Sequence, residues 1–270
     1  MSNNRGNLPA RYEGAENWRN ASYYANLGGC DRTAFAWEWL RRSLGYRQAW
    51  YRRAEMPGDA AATARLFGLE RFEDPDLAIP VARPVWTAAI DPTVLMATVA
   101  DPLATSEERV DLRILSPLVG IAIDEREVEH LLLSDGSRSV RIDVVEGTLI
   151  GCPASLRYAL EGISRLRLPM ATLVRLKRLL ERGTFAEPSV TAAQRHSRWI
   201  MELRVADALV CGATHQEIAR TLFGGAIADA RWRLLNPAYR QRVQRLAEGA
   251  RGNLDRPLHA RWFKPTRRRV

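Results

Sequence analysis

The residues best suited to recognition chemistry are arginines and glutamines near the carboxyl end of the chain. On a helix with about 100° per residue, one face would carry Gln241, Gln244, Arg245 and Glu248, flanked by Arg240, Arg242 and Arg251. The opposite face would carry the packing residues Tyr239, Val243, Leu246 and Ala250. Arginine and glutamine reach base edges in the major groove, and flanking arginines hold phosphates. Asn236 can cap this helix and Pro237 suits its first position, so we predict a DNA recognition helix from Asn236 to Ala250.

A shorter helix is predicted upstream of it. Thr214 and Glu217 have the spacing of a capping box, and an apolar face follows before Gly224. We interpret this as the first helix of a helix-turn-helix, in which the connection is usually about 3–4 residues. Here residues 224–235 intervene, so either a short element is inserted or residues 226–235 form the second helix. The predicted DNA-contacting set is Thr214, Gln216, Asn236, Tyr239, Arg240, Gln241, Arg242, Gln244, Arg245 and Arg251.

The distribution of charge supports this location. Residues 195–270 contain 16 Arg and Lys against 6 Asp and Glu, whereas residues 1–194 contain 24 against 25. A localised cationic excess attracts polyanions and supplies phosphate contacts. Genomic base composition could explain the preference for arginine over lysine, but not this asymmetry. We expect double-stranded DNA as the partner, and RNA is a second polyanion that the charge admits.

The pattern of helix and strand signals along the whole chain predicts an α+β fold, which we divide into four parts. Residues 1–78 form a small helical module with an aromatic core, in which Asp31 caps a helix ending near Gly45. Residues 79–127 form a proline-rich linker with short strands at 85–89 and 94–99. A DNA-binding domain follows at 128–255, and a basic tail at 256–270 completes the chain. We expect the 1–78 module to be dispensable for DNA binding, although activation requires it.

The central segment gives the clearest strand signal. Leu131 and Leu133 precede Asp135-Gly136, and Val140, Ile142 and Val144 alternate with polar residues. An Asp-Gly between two such runs predicts a β-hairpin, which we expect within a small antiparallel sheet. Periodic apolar residues then predict a C-terminal helical bundle, with helices ending at Gly183 and Gly212.

Other functional classes find little support. The acidic run around Asp124 and His130 is typical of a solvated face, and we find no nucleophile elbow, phosphate loop or metal-ligand spacing. Cys30, Cys152 and Cys211 are too scattered for a zinc site or a disulfide framework. No segment resembles a signal peptide or a membrane span. We therefore expect a cytoplasmic protein that is not an enzyme and that needs no cofactor.

Several runs also resemble known families. AWEWLRR (36–42) and YRQAWY (46–51) resemble a transcriptional-regulator-like N-terminal domain of proteobacteria. The segment from 131 to 162, GATHQEIARTLFG (212–224) and YRQRVQRL (239–246) resemble a transcription-factor-like DNA-binding domain associated with type VI secretion. Proteins that join the two resemble excision activators of integrative and conjugative elements in rhizobia.

The resemblance implies activation of promoters for excision and transfer, with RNA polymerase as the partner. Single-domain relatives of the C-terminal half act as anti-activators by binding the activator, so the resemblance also implies a protein partner. The alternative to a DNA-binding activator is therefore a protein-binding regulator that acts without touching DNA.

Overall fold

The computed structural model describes residues 12, 14–55, 57–100, 109–187, 190–224, 237–259 and 263. The chain divides into two compact units. We call residues 31–34 and 52–187 the sheet unit, and residues 1–30, 35–51 and 188–270 the helical unit. Both helices and a sheet contribute, and the expected α+β class is confirmed.

The sheet has six strands among the described residues. They are β1 Leu95–Val99, β2 Arg109–Val110, β3 Val119–Ile123, β4 Glu129–Ser134, β5 Ser139–Glu146 and β6 Ala154–Ala159. Their order across the sheet is β2-β6-β1-β5-β4-β3. β1 runs parallel to β5, with Leu95 opposite Ile142, and the other described pairs are antiparallel. The sheet is therefore larger than predicted and mixed, because a parallel pairing across so many residues leaves no local pattern.

The predicted hairpin is confirmed as β4 and β5, which pair from Glu129–Val144 to Ser134–Ser139. Gly136 in the turn has φ of 91°, which favours glycine. A Cβ built on Gly136 would lie 1.9 Å from the Pro80 carbonyl oxygen, so this turn also needs glycine for space. The strand expected at 94–99 is confirmed as β1. The one expected at 85–89 is wrong, because Trp86 makes only an isolated bridge to Leu69.

One face of the sheet carries an apolar core. Leu131, Leu133, Val140, Ile142 and Val144 are buried in this core together with Leu176 and Leu179 of α4 (Arg167–Arg182). α4 ends at Gly183, as predicted, with Gly183 in the left-handed conformation. Burial of these β-branched and leucine side chains is the main stabilising contribution to the sheet unit.

The other face of the hairpin is buried as well, and it is polar. Arg141 Nη2 donates to Asp143 Oδ1 at 2.7 Å, and Arg141 Nε donates to the Trp86 carbonyl at 3.1 Å. His130 Nδ1 lies 2.7 Å from the same Asp143 oxygen. Burial by itself raises the pKa of Asp143, but hydrogen bonds and charges from His130 and Arg141 outweigh it and hold the pKa below its ordinary value. The segment between 69 and 94, expected to be part linker, thus covers a charged layer of the sheet unit.

The helical unit contains helices from both the N-terminal and the C-terminal part of the sequence. Its N-terminal part has 3₁₀ helices at Ala15–Arg19 and Ala21–Gly29, followed by α1 (Arg32–Leu40) and α2 (Leu44–Arg52). Its C-terminal part has α5 (Val190–Val210), α6 (His215–Phe223) and α7 (Pro237–Asp255). α3 (Ala60–Leu66) lies in the sheet unit. Asp31 caps α1 as predicted, accepting from the Ala34 amide at 3.0 Å. The predicted end at Gly45 is wrong, since the helix stops at Leu40 and Gly45 lies within α2.

Aromatic residues of the N-terminal segment pack on α5. The Phe35 ring lies 5.1 Å from that of Trp199, and His196 Nδ1 lies 2.7 Å from the Gly28 carbonyl oxygen. The predicted role of these aromatics as core is confirmed by the buried set Trp18, Tyr24, Phe35, Trp37, Trp39 and Tyr46. Residues 14–30 and 35–51 therefore share a folding unit with α5, α6 and α7, whereas the sequence suggested a separate module at 1–78.

A buried ionic cluster holds this arrangement. Arg42 donates to both oxygens of Asp207, at 2.7 Å from Nε and 3.0 Å from Nη2. Tyr24 donates to Asp207 Oδ2 at 2.6 Å, and Tyr12 donates to Oδ1. The other side of the Arg42 guanidinium donates to the Glu38 carboxylate and to its carbonyl oxygen. Each charge in the cluster is matched, as burial requires.

Candidate nucleic-acid interface

The junction between α5 and α6 is set by a glycine and a capping box. Gly212 has φ of 76°, and the Ala213 amide donates back to the Ala208 carbonyl, so α5 ends abruptly. Thr214 Oγ1 then accepts from the Glu217 amide at 3.2 Å, and Glu217 Oε2 accepts from the Thr214 amide at 2.7 Å. The Thr214 amide and hydroxyl both donate to the Glu217 carboxylate, and these two hydrogen bonds hold the pKa of Glu217 below its ordinary value. The predicted capping box is confirmed.

α6 and α7 pack through aromatic contacts at the end of α6. The Phe223 ring lies 5.1 Å from the ring of Tyr239, and the Arg242 guanidinium stacks over Phe223 at 4.7 Å. Such cation–π contacts fix the direction of a long side chain. Both helices also pack on α5. The three helices thus form one compact group, in which Ile218 and Ala219 of α6 are buried.

α7 has the predicted division into a packed side and an open side. Its buried residues are Val243, Leu246, Ala247, Ala250 and Leu254. Its exposed polar residues are Gln241, Arg242, Gln244, Arg245, Glu248 and, at its last position, Asp255. Tyr239 is half-buried because its ring meets Phe223, and Arg240 and Arg251 are half-buried on the flanks.

The cations on α7 have no carboxylate partners within the described part of the chain. No ion pair there joins Arg240, Arg242, Arg245 or Arg251 to an acid. By contrast, Arg198 of α5 pairs with Glu202 at 3.3 Å, and Arg19 pairs with Glu217 at 3.6 Å. The charge on the open side of α7 is therefore available to an external anion. Arg245 is the best placed of these cations, since Arg242 is held over Phe223 and Arg240 Nε is buried with no acceptor among the described residues.

The predicted DNA contacts outside α7 are Thr214, Gln216 and Asn236. Thr214 is exposed, but its hydroxyl is committed to the cap of α6. Gln216 is half-buried in the first turn of α6. Asn236 and the possible second helix at 226–235 lie outside the described residues, as does most of the predicted basic tail. The structure thus brings Tyr239, Arg240, Gln241, Arg242, Gln244, Arg245 and Arg251 together on one helix.

Some residues of this region were missed by the sequence reasoning. Phe223 positions Arg242, and Met201 of α5 has its sulfur 4.0 Å from Arg242 Nη2. No local pattern connects these residues, because they meet only where three helices pack. The burial of Asp207 could have been predicted, because this acidic residue lies four positions after Leu203, on the apolar side of α5.

The described residues can be compared with the requirements of a metal site and of a membrane-spanning helix. They contain no group of three His, Cys, Asp or Glu side chains arranged to hold a metal ion. No described helix has both the length and the apolar character needed to cross a membrane.

Two family models match the chain. A proteobacterial transcriptional regulator-like domain matches residues 17–71, and a type VI secretion (T6SS) transcription factor DNA-binding domain matches residues 159–254. No curated protein and no solved structure matches the chain. The second match contains α5, α6 and almost all of α7, so it covers the whole candidate interface. Together the matches support a DNA-binding transcription regulator.

Proposed function

We propose that this chain is a sequence-specific transcriptional regulator whose α7 (Pro237–Asp255), with Asn236 as its predicted cap, reads the major groove of double-stranded DNA. α6 and α5 act as the supporting helices of a helix-turn-helix-like unit with a long connection at 224–235. The protein works by binding, in the cytoplasm, and performs no catalysis.

The observation that carries this proposal is the two-sidedness of α7. Val243, Leu246 and Ala250 commit one side to packing, while Gln241, Gln244 and Arg245 stand on the other. A rigidly seated helix with arginine and glutamine on its free side has the side chains that bind guanine and adenine edges. The match of residues 159–254 to a DNA-binding domain supports the same location.

We further propose that the protein activates genes for excision and transfer of a mobile element, with RNA polymerase as its protein partner. Support comes from the presence of a regulator-like and a DNA-binding domain match in one chain, together with the resemblance of its sequence to excision activators. A promoter reporter would test this finer proposal: the full chain should raise transcription from a promoter carrying its selected site. A fall in transcription would instead identify a repressor.

The central experiment selects bound sequences from random duplex DNA and then measures affinity by mobility shift. Arg245→Ala should weaken binding to the selected site by about 1–3 kcal/mol, the usual contribution of one base contact. Arg126→Ala is the matched control, because it removes an exposed arginine of the sheet unit that lies outside both matched segments. Its affinity should equal that of the parent chain.

Two outcomes would contradict the proposal. Unchanged affinity in a chain with both Arg240 and Arg245 replaced by alanine would count against α7 as the recognition helix. Failure of the full chain to enrich any sequence would favour the alternative, a regulator that acts by binding a protein partner. Melting temperatures of all variants would be compared, so that loss of binding is not confused with unfolding.

A further inference from the structure

A groove of about 540 Å³ lies between α5 and α7 of the helical unit. Pockets of about 300–1,000 Å³ are the size that binds small organic molecules. The groove is lined from α5 by Ser197, Arg198, Met201 and Glu202, and from α7 by Ala238, Arg242, Arg245 and Leu246.

The charge of the lining favours an anion. Glu202 is almost fully buried, and its Oε1 forms an ion pair with Arg198 Nε at 3.3 Å. Arg242 and Arg245 also line the groove and have no carboxylate partner among the described residues, so the lining carries two positive charges that no described carboxylate compensates. Guanidinium groups bind carboxylate and phosphate oxygens through paired hydrogen bonds.

The apolar part of the lining favours a ligand with an apolar body. Leu246, which is buried, and Ala238 contribute aliphatic side chains to the lining. Met201 presents a thioether, a flexible and polarisable group that adapts to aromatic and aliphatic partners. A bare inorganic ion would leave this apolar surface in contact with water.

We propose that the groove binds a small organic anion, a carboxylate, sulfonate or phosphate ester on an aromatic or aliphatic body, and that its occupancy weakens DNA binding. The second half of this inference rests on the proposed function, because Arg242 and Arg245 are also predicted DNA contacts. An anion in the groove and a DNA phosphate then compete for the same guanidinium groups. The groove would make the regulator responsive to a metabolite of this class.

The first arm of the test measures the affinity of the groove for an organic anion in the absence of DNA. The probe is 8-anilinonaphthalene-1-sulfonate, an anion with an aromatic body whose fluorescence rises in apolar surroundings. The full chain should bind one dye saturably, and Arg242→Gln should weaken the affinity at least tenfold. Ala238→Trp fills the groove from an exposed position and should have a similar effect. Gln244→Ala, outside the groove, is the matched control and should bind the dye like the parent chain.

The second arm adds the selected DNA. At a dye concentration ten times its dissociation constant, competition should raise the apparent Kd for DNA about tenfold. Sulfate carries negative charge but has no apolar body. At the ionic strength of the dye titration, sulfate should therefore raise the apparent Kd for DNA much less than the dye does. Met201→Ala removes part of the lining, so adding dye should no longer raise the apparent Kd of this variant for DNA relative to its own Kd without dye.

Each arm has an outcome that overturns the inference. Equal dye affinity in the parent chain, Arg242→Gln and Ala238→Trp would place the dye elsewhere. Equal displacement of DNA by sulfate and by dye would show that these arginines serve phosphates alone. If no DNA binds, the proposed function fails, while the dye titrations still decide whether the groove binds organic anions.

Discussion

Arg42 and Asp207 form a two-point ion pair, with Nε–Oδ1 and Nη2–Oδ2 distances of 2.7 and 3.0 Å, although 165 positions separate them in the sequence. Both side chains are essentially inaccessible to solvent, at 2% and 0% exposure. Arg42 belongs to the segment matched by the regulator-like domain, and Asp207 to the segment matched by the DNA-binding domain. Parts of both matched segments therefore belong to one folding unit, the helical unit, and the stability of α5, α6 and α7 depends on N-terminal residues.

Replacing Asp207 by alanine should lower the free energy of unfolding by about 3–5 kcal/mol, because it leaves the Arg42 charge buried with half of its acceptors removed. Urea denaturation at neutral pH would measure the change. Asp255→Ala, at an exposed position of α7, is the control and should stay within about 0.5 kcal/mol of the parent chain. A change below about 1 kcal/mol for Asp207→Ala would show that the cluster relaxes easily.

Removal of residues 1–78 should abolish the cooperative unfolding of α5, α6 and α7, and DNA binding with it. The deletion takes away Phe35 from Trp199 and the Arg42 and Tyr24 donors from Asp207. This result would reverse the expectation, drawn from the sequence, that the module is dispensable for binding. Circular dichroism melts and mobility shifts would measure it. A chain ending at residue 259 keeps every described helix and serves as control, and full DNA affinity in the 79–270 fragment would restore the original expectation.

The affinity for DNA should fall steeply with salt, since several phosphates are neutralised by the helical unit. In a plot of log affinity against log salt concentration, Arg245→Gln should reduce the slope by about one if the guanidinium contacts a phosphate. If Arg245 instead contacts a base, the slope should change little and the preference at one position should relax. Arg126→Gln, in the turn between β3 and β4, should alter neither quantity. A flat salt dependence of the parent chain would support the protein-binding alternative.

Thr214→Ala should lower the free energy of unfolding by about 0.5–2 kcal/mol, because the first turn of α6 loses the acceptor for the Glu217 amide. Thr214→Asn, which keeps a capping oxygen, should recover most of the loss. Thermal denaturation would compare the two variants with the parent chain. If Thr214→Asn stays as unstable as Thr214→Ala, the hydroxyl has a role other than the cap.

Asp143→Asn should destabilise the sheet unit at neutral pH and much less in acid. The pKa of Asp143 is depressed in the folded chain, so its contribution is present above the ordinary value of about 3.9 and is lost as pH falls through the folded value. The stability difference between variant and parent should therefore shrink below about pH 4. Asp59→Asn, at an exposed position with no side-chain hydrogen bond to its helix, should show no such pH dependence. A difference for Asp143→Asn that is constant down to pH 2 would contradict the ionic role.

The hairpin, the capping box of α6 and the two faces of α7 could all be predicted from the sequence. Each depends on residues within a few positions of one another, where turn chemistry and helical periodicity act directly. The segment 79–127 shows the opposite case. Its prolines predicted a linker with short strands, and the strand at 94–99 is confirmed as β1, but its pairing with β5 and β6, far along the chain, left no local pattern.

By itself, the sequence determined where positive charge accumulates, which helix carries arginine and glutamine opposite an apolar stripe, and where that helix can begin. Tertiary structure alone decided that residues 14–30 and 35–51 complete the same unit as α5, α6 and α7, and that Arg242 lies against Phe223. The physical reason is the range of the interactions. Periodicity and capping are local and leave a pattern, whereas burial of a matched ion pair or a stacked ring depends on distant segments meeting in the folded chain.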